Sequence, residues 1–265
     1  MTPQTLLTHL DNGQLWPRAA SDEAGFDTSQ AYQQALAVRA LREQRGERPR
    51  GFKIGFTNRT IWPLYQVYAP IWGTVWDSTL VWCEGDGRLD LTPTCQPRLE
   101  PEVVFGLART PPPEADVQAL FESIEWIAPG FEVVQSHMPD WKFQASDTIA
   151  DSGLHARLLV GRRAALRSLA QSAQELDTLL ANMSLRLLHE QTEVARGTGH
   201  NVLDSPLRAL HYFMQELRGC PNAPDLKPGD VVTTGTWTDA FPIAAGQQWV
   251  ADFPAPLSPL RLTLC

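Results

Sequence analysis

The chain has 265 residues, 43% of them hydrophobic, with a net charge of −8 and a pI near 5.2. That is apolar material for one large domain or a domain with an appendage, and the absence of basic stretches interleaved with aromatics excludes nucleic acid as an expected partner. No apolar run approaches the ~18 residues of a membrane helix, Met1 to Leu15 lacks a signal-peptide pattern, and Cys83, Cys95, Cys220 and Cys265 show no C-x-x-C spacing, so a reduced cytoplasmic interior without a membrane partner is expected.

Leu6, Leu7 and Leu10 predict a short helix from Thr2 to Leu10, ended by Trp16-Pro17. Asp27, Thr28 and Ser29 offer caps for a second helix. Tyr32, Leu36, Val38 and Leu41 lie on or near its apolar stripe, with Arg39, Arg42, Glu43 and Arg45 on the other side. The polar turn Arg45 to Pro49 then separates an N-terminal helical region, 1–50, from a β-rich body, 51–265. Short strands are predicted at Gly51–Phe56, Gly73–Asp77 and Thr79–Trp82, followed by a strand through Pro97–Phe105. A helix around Asp116–Ser123 leads to a strand carrying Ala128–Val134, and Arg157–Gly161 reads as another strand. Ser172–Leu180 and Pro206–Leu217 are helical, Met183–Thr192 alternates like a strand, and Val231–Gly235 and Gln248–Phe253 are again β. With no βαβ rhythm, the fold class is α+β or complex β-rich.

The stretch with most chemistry is Arg98-Leu99-Glu100-Pro101-Glu102-Val103-Val104. Alternate residues of a strand share a face, so Glu100 and Glu102 project together, roughly 7 Å apart at the backbone. If Glu132 joins them from a neighbouring strand, three carboxylates without sulfur make a hard-cation site suited to Mg²⁺ or Mn²⁺. The competing reading makes this face the solvated side of a half-exposed strand. Lys53, between Phe52 and Ile54, is either desolvated with a lowered pKa for proton transfer or solvent-facing. Asp77 ends its strand, a common position for a catalytic group and equally for a turn residue. The polar segment Asp140–Gly153 is a substrate-facing loop or an ordinary connection. There is no G-x-S-x-G elbow and no phosphate-binding glycine loop. The six histidines lack H-x-x-x-H spacing, so they read as surface or satisfied residues.

Taken in order, Gly51–Thr57, Trp72–Asp77, Pro97–Phe105, Ala128–Val134, Asp147–Asp151 and Lys227–Thr236 resemble the 2-keto-4-pentenoate hydratase and 4-oxalocrotonate decarboxylase group of the fumarylacetoacetate hydrolase superfamily. The resemblance implies a mixed β-roll with an N-terminal helical region, usually assembled into homo-oligomers. It places metal carboxylates at Glu100, Glu102 and Glu132 and proton transfer at Lys53 and Asp77. It implies a hydratase adding water to 2-hydroxypenta-2,4-dienoate-type 2-oxo acids in aromatic catabolism, beside a companion decarboxylase or aldolase. The alternatives are a 4-oxalocrotonate-type decarboxylase and a non-catalytic 2-oxo acid-binding subunit. Three stretches depart from the family pattern: Ser152–His155, Gln135–His137, and the aromatic Trp62, Tyr65 and Tyr68.

Overall fold

A computed structural model describes residues 1–265. Thr2 caps α1 (Pro3–Asn12), its hydroxyl accepting from the Thr5 N–H at 3.2 Å. Asp27 caps α2 (Thr28–Gln44) by accepting from the Gln30 N–H at 2.9 Å. Both side chains satisfy helix-end donors that otherwise lack partners. The apolar stripe of α2 packs inward through Ala31 and Val38, and Tyr32 stacks on Trp72 with ring centroids 4.6 Å apart. Arg42, assigned from sequence to the polar side of α2, is instead buried. Its guanidinium lies 4.4 Å from the Trp76 ring and pairs with Glu47, so cation–π contact and an ion pair offset its desolvation.

Strands β1 (Pro49–Gly55), β2 (Ile71–Trp76), β3 (Leu80–Trp82) and β4 (Asp86–Leu89) follow, with the one-turn helix α3 (Trp62–Tyr65) between the first two. The two longest strands, β5 (Arg98–Leu107) and β6 (Ile124–Val134), flank α4 (Val117–Phe121). Next come α5 (Ala145–Ala150), β7 (His155–Val160), β8 (Ala164–Ala165) and α6 (Ala173–Asn182). A hairpin of β9 (Ser184–His189) and β10 (Thr192–Thr198) precedes α7 (Pro206–Gly219). The chain closes with β11 (Val231–Thr233), β12 (Phe241–Pro242), β13 (Gln248–Asp252) and β14 (Leu260–Leu264). The single strand expected over Met183–Thr192 is therefore two. Glu190 and Gln191 turn with φ of 46° and 69°, a conformation usually announced by Asn-Gly rather than by two long side chains.

The larger sheet runs β2-β1-β11-β5-β6-β7-β3, with β12 on β5 and β8 on β6; the smaller runs β10-β9-β13-β14-β4. One core draws on both sheets and on α4, α6 and α7, through residues such as Phe105, Phe121, Phe213, Trp249 and Leu260. The N-terminal helices close a second, smaller cluster against Ile71 and the Ile149 face of α5. No helix is long and apolar enough to cross a membrane.

Lys53 on β1 faces Gly73 on β2. A Cβ at Gly73 would lie 2.0 Å from the Ser152 carbonyl oxygen, so only glycine lets the Ser152–Leu154 turn sit against the sheet. Gly73→Ala is therefore expected to cost about 1–3 kcal/mol by overpacking. It should lower the melting temperature by several degrees, and an unchanged melting curve would show that the turn moves aside freely.

Candidate metal centre and substrate cavity

Antiparallel pairing of β5 and β6 sets Glu100 directly opposite Glu132 and Glu102 opposite Gly130. Strand alternation puts Glu102 on the same face as Glu100. Carboxylate oxygens of all three lie within 4.8 Å of one another, with Glu102 and Glu132 wholly buried and Glu100 partly so. Like charges opposed across strands destabilise a sheet, so this grouping argues for a cation. The sequence expectation of a shared face holds, and the solvated-face reading fails because the cluster points inward.

Two of the three carboxylates are held from behind. Glu102 Oε2 accepts from the Gly235 N–H at 2.7 Å. Gly235 has φ +96°, and a Cβ there would strike the Thr57 hydroxyl at 1.9 Å, so the approach needs glycine. Glu132 Oε1 is 2.8 Å from His155 Nδ1, and His155 Nε2 is 2.8 Å from the Thr79 hydroxyl. With Glu132 ionised, the imidazole donates from Nδ1 and accepts from Thr79 at Nε2. A register shift opposite Val133 and Val134, where β7 carries the extra residue Ala156, accompanies this arrangement. Glu102 Oε1 and Glu132 Oε2 are buried without hydrogen-bond partners. Buried polar atoms are rarely left so, and two bare carboxylate oxygens in an oxygen-only set fit a hard divalent cation.

Lys53 Nζ stands 3.5 Å from Glu132 Oε2 and donates to the Gly153 carbonyl at 2.9 Å. Its side chain is 3% exposed, so the solvent-facing reading fails. The expected lowering of its pKa fails too. Burial opposes its charge, but Glu132, Glu100 and Glu102 together hold its pKa above the ordinary lysine value. Burial likewise drives the carboxylates up: Glu102 well above its usual range, reinforced by Glu132 and Glu100, and Glu132 to about 8. His155 is pushed well below its usual value by burial and then by the Lys53 and Arg42 charges, so it is neutral.

Asp77 does not join the cluster. It is exposed in the turn after β2 and accepts from the Arg48 N–H at 3.0 Å. Gly73 pairs with Lys53, so Asp77 lies four residues further along the sheet, roughly 13 Å at strand rise. Its strand-end position serves a turn. His155 is the residue backing the cluster that sequence reasoning missed: a histidine opening an apolar strand carries no spacing signal, although the Ser152–His155 departure fell on it. The Asp140–Gly153 segment is divided in role. Trp141, Phe143 and Gly153 line the cavity, whereas Asp147 is buried and accepts from the Ser21 N–H and hydroxyl.

That cavity has a volume of about 550 Å³. Lys53 and Glu100 line it together with Phe56, Tyr65, Arg98 and Trp141. Of the aromatics noted after Lys53, Tyr65 lines it, whereas Tyr68 is 78% exposed and Trp62 donates from Nε1 to the Phe56 carbonyl at 2.7 Å.

The raised carboxylate pKa values give the metal-free protein a pH signature. The folded state binds protons at Glu102 and Glu132 more tightly than an unfolded chain with a pKa near 4.5, so this stabilisation falls as pH rises from about 4.5 to about 8. His155, held neutral, and His137, raised by Asp151 against its burial, act in opposite directions near pH 6.5. Metal-free protein should therefore melt lower at pH 8 than at pH 5.5, and Mg²⁺ should raise the melting temperature more at pH 8. A flat profile with no metal effect would refute the cluster's electrostatics. Glu102→Gln should flatten the profile and weaken Mg²⁺ binding by at least ~100-fold, beyond what indirect partners of a ligand usually cost.

No family model matches the chain. It is 30% identical over 200 residues to a 2-hydroxypent-2,4-dienoate hydratase of Pseudomonas putida, covering 73% of this chain and 84% of that one. It is 29% identical over 220 residues to a 2-hydroxyhexa-2,4-dienoate hydratase of Comamonas testosteroni, covering 83% and 80%. In three dimensions it is similar to a 4-oxalocrotonate decarboxylase from Pseudomonas putida G7 complexed with magnesium and adipate, at a TM-score of 0.88 and 22% identity over 99% of this chain and 95% of that one. The ordered motifs, the sheet that carries them and these relatives agree: the chain belongs to the 2-keto-4-pentenoate hydratase and 4-oxalocrotonate decarboxylase group of the fumarylacetoacetate hydrolase superfamily.

Proposed function

We propose that the protein is a divalent-metal-dependent hydro-lyase of aromatic catabolism. In this reading it adds water to 2-hydroxypenta-2,4-dienoate-type acids and gives products of the 4-hydroxy-2-oxopentanoate type. The observation that carries this reading is one buried ammonium, Lys53, beside three clustered carboxylates, with Lys53 and Glu100 lining the same cavity. Glu100, Glu102 and Glu132 would hold Mg²⁺ or Mn²⁺, which when bound polarises the 2-oxo group of the acid.

Lys53 carries the acid–base work that the resemblance divided between Lys53 and Asp77. Its ammonium gives a proton to C5 of the dienol, and the proton of the 2-hydroxyl is released, leaving a 2-oxo-3-enoate. Water then adds across C3–C4, its oxygen to C4 and a proton to C3. The Gly153 carbonyl fixes the direction of the amine, and β1, buried on both sides, keeps bulk water from it. His155 and the Gly235 N–H each take up one carboxylate oxygen, so Glu132 and Glu102 present the other. Assembly into homo-oligomers, and work beside a companion decarboxylase or aldolase, belong to this same proposal.

Arg98 favours a second reading. It lines the cavity on the same strand face as Glu100 and pairs with no carboxylate of the protein, so it could receive a second carboxylate, as a 4-oxalocrotonate-type decarboxylase requires. Incubating both acids with Mg²⁺-loaded protein and following the products by NMR separates the two: hydration yields the C4 alcohol, decarboxylation yields CO₂.

Lys53→Met should lower kcat by ~10²–10⁴, the usual range for a general acid–base group. It should leave Mg²⁺ binding intact or tighter, because a neighbouring positive charge is removed. Retained turnover would remove Lys53 from the mechanism. Chelation with EDTA should abolish activity, and Mg²⁺ or Mn²⁺ should restore it.

A further inference from the structure

We propose that the acid taken by this cavity carries a planar, uncharged substituent beyond C5, aryl or extended-conjugated, rather than the bare five-carbon chain. This rests on the hydro-lyase reading and names its substrate class. Lys53 and Glu100, the one carboxylate of the cluster that lines the cavity, occupy one part of the wall and fix where the C1–C2 end of an acid would lie. Away from them four aromatic rings make one wall, while Asn58, Arg196, Asn201 and Asp239 lie on the rest of the lining. Phe56 and Tyr65 stack at 4.8 Å with planes 18° apart, Tyr65 and Phe143 at 5.5 Å and 25°, and Trp141 tilts against Phe143 at 6.0 Å. Ile71 and Leu154 add apolar surface.

Three further observations separate this surface from ordinary core. The rings are partly exposed to the cavity rather than packed shut, and its 550 Å³ falls within the range of sites for drug-sized ligands. Two of the rings are set by backbone that bulky residues seldom adopt, with φ +56° at Phe56 and +59° at Trp141. Each conformation is tied down: Trp62 Nε1 donates to the Phe56 carbonyl at 2.7 Å, and Trp141 Nε1 donates to the Gln96 carbonyl at 3.0 Å. Strain of this kind concentrates at ligand sites. Finally, of the two lining arginines Arg196 is paired with Glu193, and the Arg98 guanidinium lies 4.2 Å from the Trp141 ring, flanking the aromatic wall. Near-parallel rings favour a flat partner by offset stacking, whereas an aliphatic methyl terminus would use little of them.

The test compares 2-hydroxypenta-2,4-dienoate, its 5-phenyl derivative and a six-carbon 2-hydroxydienedioate with Mg²⁺-loaded protein. The phenyl acid is expected to show at least tenfold higher kcat/KM than the five-carbon acid. Independently of turnover, calorimetry should show 2-oxo-5-phenylpentanoate binding at least tenfold more tightly than 2-oxopentanoate, about 1.4 kcal/mol. The double variant Tyr65→Leu with Phe143→Leu should shrink both ratios about tenfold. Equal values, or preference for the five-carbon or dicarboxylate acid, overturn the inference while hydration persists. Phenyl-selective binding without hydration of any acid overturns the hydro-lyase reading instead. Failure to bind either oxo acid sinks both.

Discussion

Everything at the site follows from the repulsion among Glu100, Glu102 and Glu132. Two unit charges at 4.8 Å interact with roughly 3–4 kcal/mol at the effective dielectric of a protein interior. Three such pairs approach the whole net stability of a folded domain, about 5–15 kcal/mol. The chain therefore tolerates the cluster only with protons on the carboxylates or a cation among them. Lys53 supplies one positive charge, less than three carboxylates require. A bound divalent ion would supply the balance.

The surrounding structure follows from that deficit. The Gly235 N–H and the His155 Nδ1–H each engage one oxygen of a buried carboxylate and leave the other bare. A lysine in place of His155 would neutralise Glu132 and compete with the ion; a neutral imidazole anchored on Thr79 orients the carboxylate without adding charge. Neutrality here is a consequence of burial beside Lys53, so the ammonium fixes the state of its neighbour. The same field explains why Lys53 is not the low-pKa amine that burial alone would make it.

Much of this was legible in the chain. A strand's two-residue period puts Glu100 and Glu102 on one face whatever the tertiary fold, and the caps at Thr2 and Asp27 announce their helices locally. Glu132 could be added only because the ordered motifs identify the partner strand. What stayed hidden depends on register and on contacts made at a distance. Asp77 and Lys53 each sit in a glycine-bounded strand, and only the β1–β2 pairing reveals that they are four residues out of step. His155 takes its place from a register shift between β6 and β7 and from a hydroxyl seventy-six positions away, neither of which leaves a mark in spacing. Arg42 read as solvated because helical periodicity gives the angle of a side chain and not what covers it.

The cavity divides the same way between local and distant causes. Its reactive wall is built from β-structure, with Lys53 on β1 and Glu100 on β5 backed by Glu102 and Glu132, and hydrogen-bonded register sets their positions. Its aromatic wall comes from three irregular segments: Phe56 just after β1, Tyr65 in the single turn of α3, and Trp141 with Phe143 before α5. Loops of this kind tolerate substitution and carry specificity, while the scaffold holds the chemistry. A change of substrate can then arise by exchanging rings on the loops without disturbing the charge balance beneath them. The converse does not hold, because any change to the acid cluster alters the ion, the lysine and the histidine together. That asymmetry is why the reaction class can be read from the strand motifs and the substrate has to be read from the loops.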